Sequence, residues 1–195
     1  MPLPDFTSPS IFPSFTSLPL TTATSPPDEY YLIGQITENM TLTKPTLILI
    51  DRTSASFALV YESRSEAAAE GPDTRFFAQL GFKRGSTLVI PNAKRTPPKE
   101  QQNGGQGFVA VQREQEASVR VIPGGLERVV RVGAWLRERE ESGREESGGE
   151  GGLVMKCTGC GEVGYCSKEC QVKGWNEGGH KADCKIIKAI RAIWS

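Results

Sequence analysis

Histidine and cysteine are scarce in this sequence, and both occur only near its C-terminal end. The 195 residues contain one histidine, His180, and five cysteines, of which Cys157 comes first. Acyl-transfer catalysis commonly requires a histidine base, and the one histidine here lies among the cysteines. An odd number of cysteines disfavours the paired disulfide framework of small secreted domains. Neither a hydrolytic triad nor a disulfide-stapled fold is therefore expected.

Three further absences narrow the class of protein. The 23 basic and 23 acidic residues cancel, which removes the electrostatic argument for a dedicated DNA-binding protein. No apolar run approaches the roughly 20 residues that are needed to cross a bilayer. No basic residue precedes Lys44, so neither a secretory signal nor an arginine-rich presequence is indicated. We expect an intracellular protein without membrane contact, located in the nucleus or the cytoplasm.

Residues 1–28, MPLPDFTSPSIFPSFTSLPLTTATSPPD, are dominated by proline, serine and threonine and show no strand or helix period. This composition predicts a disordered tail, because such a segment buries too little apolar surface to offset the entropy of folding. The alternative is a short partner-binding or phosphorylated segment, since proline favours an extended conformation that protein grooves bind.

Residues 29–137 predict a mainly β domain. Short apolar and β-branched runs alternate with turn residues, without the alternation of strands and helices that a parallel α/β sheet shows. The succession of runs resembles an OB-fold, so the expected fold class is a small antiparallel OB-like barrel. The stretch 97–107 predicts a loop, and SEAAAE followed by RFFAQLGF predicts helix. Strands are predicted in YYLIGQIT (30–37), PTLILID, SASFALVYE, GSTLVIPNAK, GFVAVQ and ASVRVIP (117–123).

An OB-like barrel suggests the binding of single-stranded nucleic acid. In that hypothesis Phe57, Tyr61 and Phe108 stack on bases, while cations such as Lys83 and Arg84 follow the phosphates. The alternative is that these aromatic side chains, which lie in strand-like runs, pack in the core. The neutral charge balance favours the second interpretation.

Two amphipathic segments and a charged linker follow the β-rich region. Residues 124–140 predict a helix with Arg128 and Arg131 on its polar face. The charged, glycine-rich residues 138–152 predict a linker to a small α-rich module, residues 153–195. The run KIIKAIRAIW (185–194) predicts a helix that either packs on the rest of the chain or docks on another protein. The apolar face of the first helix is expected to contain Leu126, Val129, Val130, Ala134 and Trp135.

The five cysteines and the histidine form three locally aligned pairs. They occur in the order Cys157, Cys160, Cys166, Cys170, His180 and Cys184. The first pair is separated by two residues, a spacing with which one turn directs two thiolates at one metal ion. The members of each later pair are four residues apart, which places them on one face of a helical turn. Thiolate and imidazole are ligands that Zn²⁺ prefers, so we predict zinc, with one complete four-ligand site and two ligands remaining.

The segment CTGCGEVGYCSKECQVKGWNEGGHKADC resembles the later part of a MYND zinc finger. Tyr165 directly precedes Cys166, as in that family. Gln171 directly follows Cys170, and Trp175 comes four residues later. The family holds two zinc ions in a cross-brace, and the resemblance implies a first-choice metal site of Cys157, Cys160, His180 and Cys184. The other site would contain Cys166 and Cys170, but the upstream cysteine pair of the family is missing, so we expect this site to be degenerate, filled by other ligands, or absent.

The resemblance also implies a function. MYND fingers bind partner proteins, so we expect a non-enzymatic adaptor that binds proline-containing peptides near Gln171 and Trp175, with a role in transcriptional regulation. Trp175 would either line the peptide groove or fill the small core of the finger. The alternative function is single-stranded nucleic-acid binding through the OB-like domain. Some MYND proteins are lysine methyltransferases through an attached SET domain, and no SET-like motif is found here.

Overall fold

The computed structural model describes residues 2–23, 28–42, 44–62, 76–98, 107–142 and 155–194. The strands are β1 (Tyr31–Asn39), β2 (Thr46–Ile50), β3 (Ser56–Tyr61), β4 (Thr87–Pro91), β5 (Arg95–Thr96), β6 (Phe108–Val111), β7 (Arg120–Ile122), β8 (Met155–Lys156) and β9 (Gly164–Tyr165). The helices are α1 (Phe76–Gln79), α2 (Leu126–Ser142), α3 (Lys168–Asn176) and α4 (His180–Trp194).

The chain divides into two compact units. The first, called here the sheet unit, comprises Ser8–Val121 and Gly125–Glu127. The second, called here the finger unit, comprises Met1–Thr7, Ile122–Gly124 and Arg128–Ser195. Among the residues that the structure describes, no helix is both long enough and apolar enough to cross a membrane.

The larger sheet is mixed and open. Its strand order is β5-β6-β3-β2-β1-β4-β7, with β1, β2 and β3 forming an antiparallel meander and β4 pairing antiparallel to β1. Strand β6 pairs parallel to β3, which requires a crossover connection rather than a hairpin. Within the described residues the outer strands β5 and β7 do not pair. The predicted β-rich class is thus confirmed, whereas a closed, antiparallel OB-like barrel is not, because the sheet is open and contains the parallel pair of β3 and β6.

The core of the sheet unit follows the period of the strands. Burial alternates along β2 and β3, as expected for strands that turn one face to the core. Phe57 and Tyr61 on β3 lie in this core with 3% and 0% of their surface exposed. These two side chains are therefore unavailable for stacking on bases, and the core-packing interpretation of them is the one that the structure supports.

The N-terminal segment differs from the disordered tail that its composition predicts. Phe12, Phe15 and Leu18 are buried, and the Phe15 ring stacks on Phe57 with a centroid distance of 4.8 Å. The backbone N–H of Phe15 donates to Asp51 Oδ2 at 2.7 Å. Residues 8–23 are thus part of the sheet unit, because a few aromatic anchors are buried within a chain of otherwise polar composition. Residues 24–27 lie outside the described part of the chain.

Two helices supply the apolar core of the finger unit. The predicted helix 124–140 is observed as α2, but its buried face is rotated from the expected one. Of the expected face, Val129 is buried in this unit, whereas Val130, Ala134 and Trp135 are half-buried, and Val132 and Leu136 are buried instead. The predicted linker therefore begins as helix, and its residues 143–152 lie outside the described part, as does the predicted helix at 65–70.

The last helix packs within its own unit. On α4, Ile186, Ile187 and Ile190 are buried. At its end, the ring of Trp194 meets the ring of Phe6 edge-on, with 5.2 Å between the centroids. The amphipathic stripe of this helix therefore forms part of the core, which is the first of the two roles that the sequence left open.

Candidate metal centre

A short hairpin brings the first two predicted ligands together. Strand β8 pairs antiparallel to β9, and the turn between them contains the CTGC motif. The N–H of Cys157 donates to the carbonyl of Val163 at 2.8 Å, and the N–H of Gly161 donates to the carbonyl of Cys157 at 2.7 Å. Gly161 has φ of 74°, a left-handed conformation that glycine adopts without strain. This tight turn brings Cys160 back toward Cys157.

The other two predicted ligands lie on the first turns of α4. His180 and Cys184 are one helical turn apart and are exposed by only 6% and 4%. The guanidinium of Arg128 holds this end of the helix, because Nε donates to Asp183 Oδ1 at 2.6 Å and Nη2 donates to the carbonyl of Gly179 at 2.9 Å. The sequence predicts Arg128 on the polar face of its helix. In the structure this side chain also positions the helix that carries His180 and Cys184.

The four side chains fit a tetrahedral zinc ion. All four ligand atoms lie within 4.8 Å of one another. Cys157 Sγ is 3.9 Å from Cys184 Sγ, and Cys160 Sγ is 3.6 Å from His180 Nε2. Zinc bonds of about 2.3 Å to sulfur and about 2.0 Å to nitrogen in a tetrahedron require ligand separations of about 3.8 Å and about 3.5 Å. The structure thus positions Cys157, Cys160, His180 and Cys184 to hold one zinc ion.

The thiols of this cluster differ in their protonation. Burial raises the pKa of Cys157, but hydrogen bonds from the backbone of Cys160, from the His180 side chain and from the backbone of Gly159 outweigh it, and the pKa falls to about 6. Burial, together with the neighbouring Cys157 and Cys160, raises the pKa of Cys184 to about 12. The Cys157 thiolate therefore forms easily, whereas Cys184 retains its proton until a cation offsets the negative charge of the neighbouring thiolate. Metal binding is thus coupled to proton release.

Aromatic rings complete the small core around the cluster. Tyr165 and Trp175 both meet the His180 ring edge-on, with centroid distances of 5.9 Å and 5.8 Å. They belong to a hydrophobic cluster with the buried cysteines. Trp175 is therefore a core residue of the finger that remains partly exposed.

Cys166 and Cys170 are brought together, but away from other ligands. Their Sγ atoms are 2.8 Å apart, and both side chains are exposed. Ser167 lies between them and caps α3, since its Oγ accepts a hydrogen bond from the N–H of Cys170. Over the described ranges, the structure assembles one group of three or more metal-ligating side chains, and this pair is not in it.

Gly159 is a functional position that the ligand pattern alone did not reveal. A Cβ atom at this position would lie 2.8 Å from Cys184 Sγ and 3.5 Å from Cys157 Sγ. The glycine of CTGC is thus the point at which the turn passes directly beneath the ligands. The glycine of the CTGC motif could have indicated this position, but only the folded turn shows that Cys184 Sγ lies closest to it.

We expect Gly159→Ala to weaken zinc binding by about ten-fold or more, a loss like that found when groups that position the ligands are altered. The added methyl group must push Cys184 Sγ out of its position. Competition with a chromophoric chelator measures the change, and Thr158→Ala, an exposed neighbour, is the matched control. Equal zinc affinity for the two variants would contradict the close approach at residue 159.

Comparison with known proteins identifies this module. The sequence model of the MYND finger family matches residues 144–184. A SET and MYND domain-containing protein of Dictyostelium discoideum is 44% identical over 41 residues, which are 21% of this chain and 7% of that protein. The similarity therefore concerns one module of a much longer relative. The C-terminal segment is a MYND-type zinc finger, as its residues implied, and such fingers bind zinc and typically mediate protein–protein interaction.

Proposed function

We propose that this protein is a non-enzymatic adaptor whose zinc finger binds a proline-containing segment of a partner protein. The observation that carries the proposal is the closed set of four ligands in a segment that matches the MYND finger. Four protein ligands fill the tetrahedron of a structural zinc site, which leaves no position for a catalytic water. The metal would therefore act mechanically, since its binding free energy stabilises a module too small to fold unaided.

Helix α3 offers a surface suited to an extended peptide. Gln171 is partly exposed, and Val172 beside it exposes 53% of its surface. Trp175, which is also partly exposed, lies one turn after Gln171. An amide side chain can both donate to and accept from a peptide backbone, while indole and valine provide apolar contact. Proline suits such a surface, because its restricted backbone loses little entropy on binding.

A cavity of about 420 Å³ adjoins the same helix within the finger unit. Trp135, Tyr165 and Gly174 of α3 form part of its wall. Its lining is mainly apolar, with His180 and Asp183 at the metal-bearing end. We propose that this cavity receives an apolar side chain that flanks the proline of the partner peptide.

The chemistry of the ligands supports an intracellular location. Zinc-bound thiolates persist where thiols stay reduced, as in the nucleus and the cytoplasm. We propose that the adaptor acts in one of these compartments, as part of an assembly that regulates transcription. The Dictyostelium relative is also named for a SET domain, and the catalytic activity of such a domain is not proposed for this chain.

The proposal predicts that proline-containing peptides bind the zinc-loaded full chain through α3. An array of such peptides, each paired with a copy in which alanine replaces proline, identifies binders, and calorimetry then measures their affinity. We expect Gln171→Ala and Val172→Asp each to weaken binding about ten-fold, as is usual for residues at the centre of an interface. Lys173→Ala is the control, because Lys173 is exposed on the same helix.

Two results would contradict the adaptor. One is equal binding of the proline and alanine peptides, and the other is unchanged affinity in both α3 variants. A salt-dependent shift of single-stranded oligonucleotides by the same preparation would instead favour nucleic-acid binding.

A further inference from the structure

Two cysteines of this protein lie outside its metal site. The structure places three of the five cysteines with His180, and Cys166 and Cys170 are the remaining two. No cysteine precedes Cys157 in the sequence to complete a second site with them. The pair is therefore available for other chemistry.

The geometry of the pair suits an intramolecular disulfide. The two sulfur atoms lie 2.8 Å apart, so a shift of less than about 1 Å brings them to the bond length of a disulfide. Ser167 fixes the intervening backbone, since it is the extended N-cap residue that accepts from Cys170 N–H at 3.2 Å. Cys166 precedes the N-cap and lies outside α3, so the pair is not held at the helical spacing of about 5–6 Å between Cβ atoms, which is wider than a disulfide accepts.

Exposure distinguishes this pair from the other cysteines. Cys166 and Cys170 are solvent-exposed, whereas Cys157 and Cys184 are buried and, with zinc bound, are shielded as ligands. Oxidation of a thiol depends on access by the oxidant. A small hydroperoxide would therefore react with Cys166 and Cys170 before the other cysteines.

We infer that Cys166 and Cys170 form a reversible disulfide when the protein meets hydrogen peroxide, while the zinc-binding cysteines stay reduced. One thiolate attacks a peroxide oxygen, the O–O bond breaks, and a sulfenic acid and hydroxide form. The second thiolate then attacks the sulfenic sulfur, the S–S bond forms, and the departing hydroxide takes up a proton to give water. The two sulfur atoms together lose two electrons, and the peroxide gains them to become two water molecules. A dithiol reductant reverses the reaction by exchange.

This site lies at the start of the helix that bears Gln171 and Trp175. A covalent link between residue 166 and the first turn of α3 would restrain that turn. Any effect on peptide binding rests on the proposed function, but the oxidation does not, because it is detected without a peptide. Failure of one proposal is therefore distinguishable from failure of the other.

The test uses the zinc-loaded full chain and intact-mass measurement of alkylated thiols. We expect two thiols to react rapidly and three to react slowly. Limited hydrogen peroxide should then remove the mass of two hydrogen atoms and both fast thiols, with zinc retained. Peptide mapping should locate the link between Cys166 and Cys170, and dithiothreitol should restore both thiols. The variants Cys166→Ser and Cys170→Ser should each bind zinc normally, yet stop at the sulfenic acid or form a disulfide between chains.

Four results would overturn the inference. They are equal alkylation of all five thiols, zinc release in step with oxidation, direct formation of sulfinic acid in the unaltered protein, and a second zinc ion that protects Cys166 and Cys170. Mapping of the unaltered chain decides between these results and the disulfide even if a serine variant folds poorly.

Discussion

Replacement of Cys157 by serine is expected to lower the zinc content from about one ion per chain to nearly none and to unfold the finger. Structural zinc sites contribute about 10–16 kcal/mol of binding free energy, which is also folding free energy. The hydrophobic cluster around the ligands is small, and the burial of so few side chains contributes much less than the metal. Elemental analysis measures the metal, and amide hydrogen exchange over residues 155–184 measures the fold. A strong chelator added to the unaltered chain should give the same exchange pattern.

The matched control for this experiment is Cys166→Ser, which alters a cysteine outside the four-ligand set. It should retain about one zinc ion and the protected finger amides. Amides of β2, which lies in the sheet unit, serve as the internal reference. If the finger amides remain protected after complete removal of zinc, the metal does not hold this module together and the adaptor proposal loses its physical basis.

Truncation of Phe15 to alanine should destabilise the sheet unit by about 3–5 kcal/mol, the usual cost of deleting a buried phenylalanine ring. The ring is fully buried and nearly parallel to Phe57, with an interplanar angle of 4°. The guanidinium of Arg95 lies over it, 5.7 Å from the centroid. Loss of the ring would leave a cavity and remove both contacts. Urea unfolding followed by the circular dichroism of the strands measures the change.

Thr16→Ala provides the comparison for Phe15→Ala, because Thr16 is the next residue and is exposed. Surface substitutions of this kind usually change stability by less than about 0.5 kcal/mol. Similar unfolding midpoints for the two variants would mean that the N-terminal segment is not part of the core, and the disordered tail expected from composition would then be the better description.

The metal site could be predicted from the sequence because its determinants are local. A two-residue gap places Cys157 and Cys160 in one turn, and a four-residue gap places His180 and Cys184 on one helical face. What joined the two pairs was the family resemblance, since spacing alone left the pairing open. The role of Arg128 in holding the start of α4 could not be predicted, because its partners Asp183 and Gly179 are more than fifty residues away in sequence.

The sheet topology could not be predicted from strand patterns. Alternation identified β2 and β3 correctly, but it gives no information on the neighbour of a strand. The parallel pairing of β3 with β6 joins strands that are distant in sequence, and local residue patterns carry no information on such a pairing. The N-terminal segment was misjudged for a related reason. Averaged composition gives little weight to single residues such as Phe12 and Phe15, whereas burial depends on them individually.

The single imidazole of the chain lies inside the metal cluster. Its ring contacts two aromatic side chains, and its Nε2 atom faces a cysteine sulfur. In a proton NMR spectrum, the histidine ring signals of this molecule would therefore come from one place, without isotopic editing or assignment. The chemical shifts of these signals would report zinc binding and its competition by other divalent metals in real time. The native histidine therefore serves as a probe of metal occupancy.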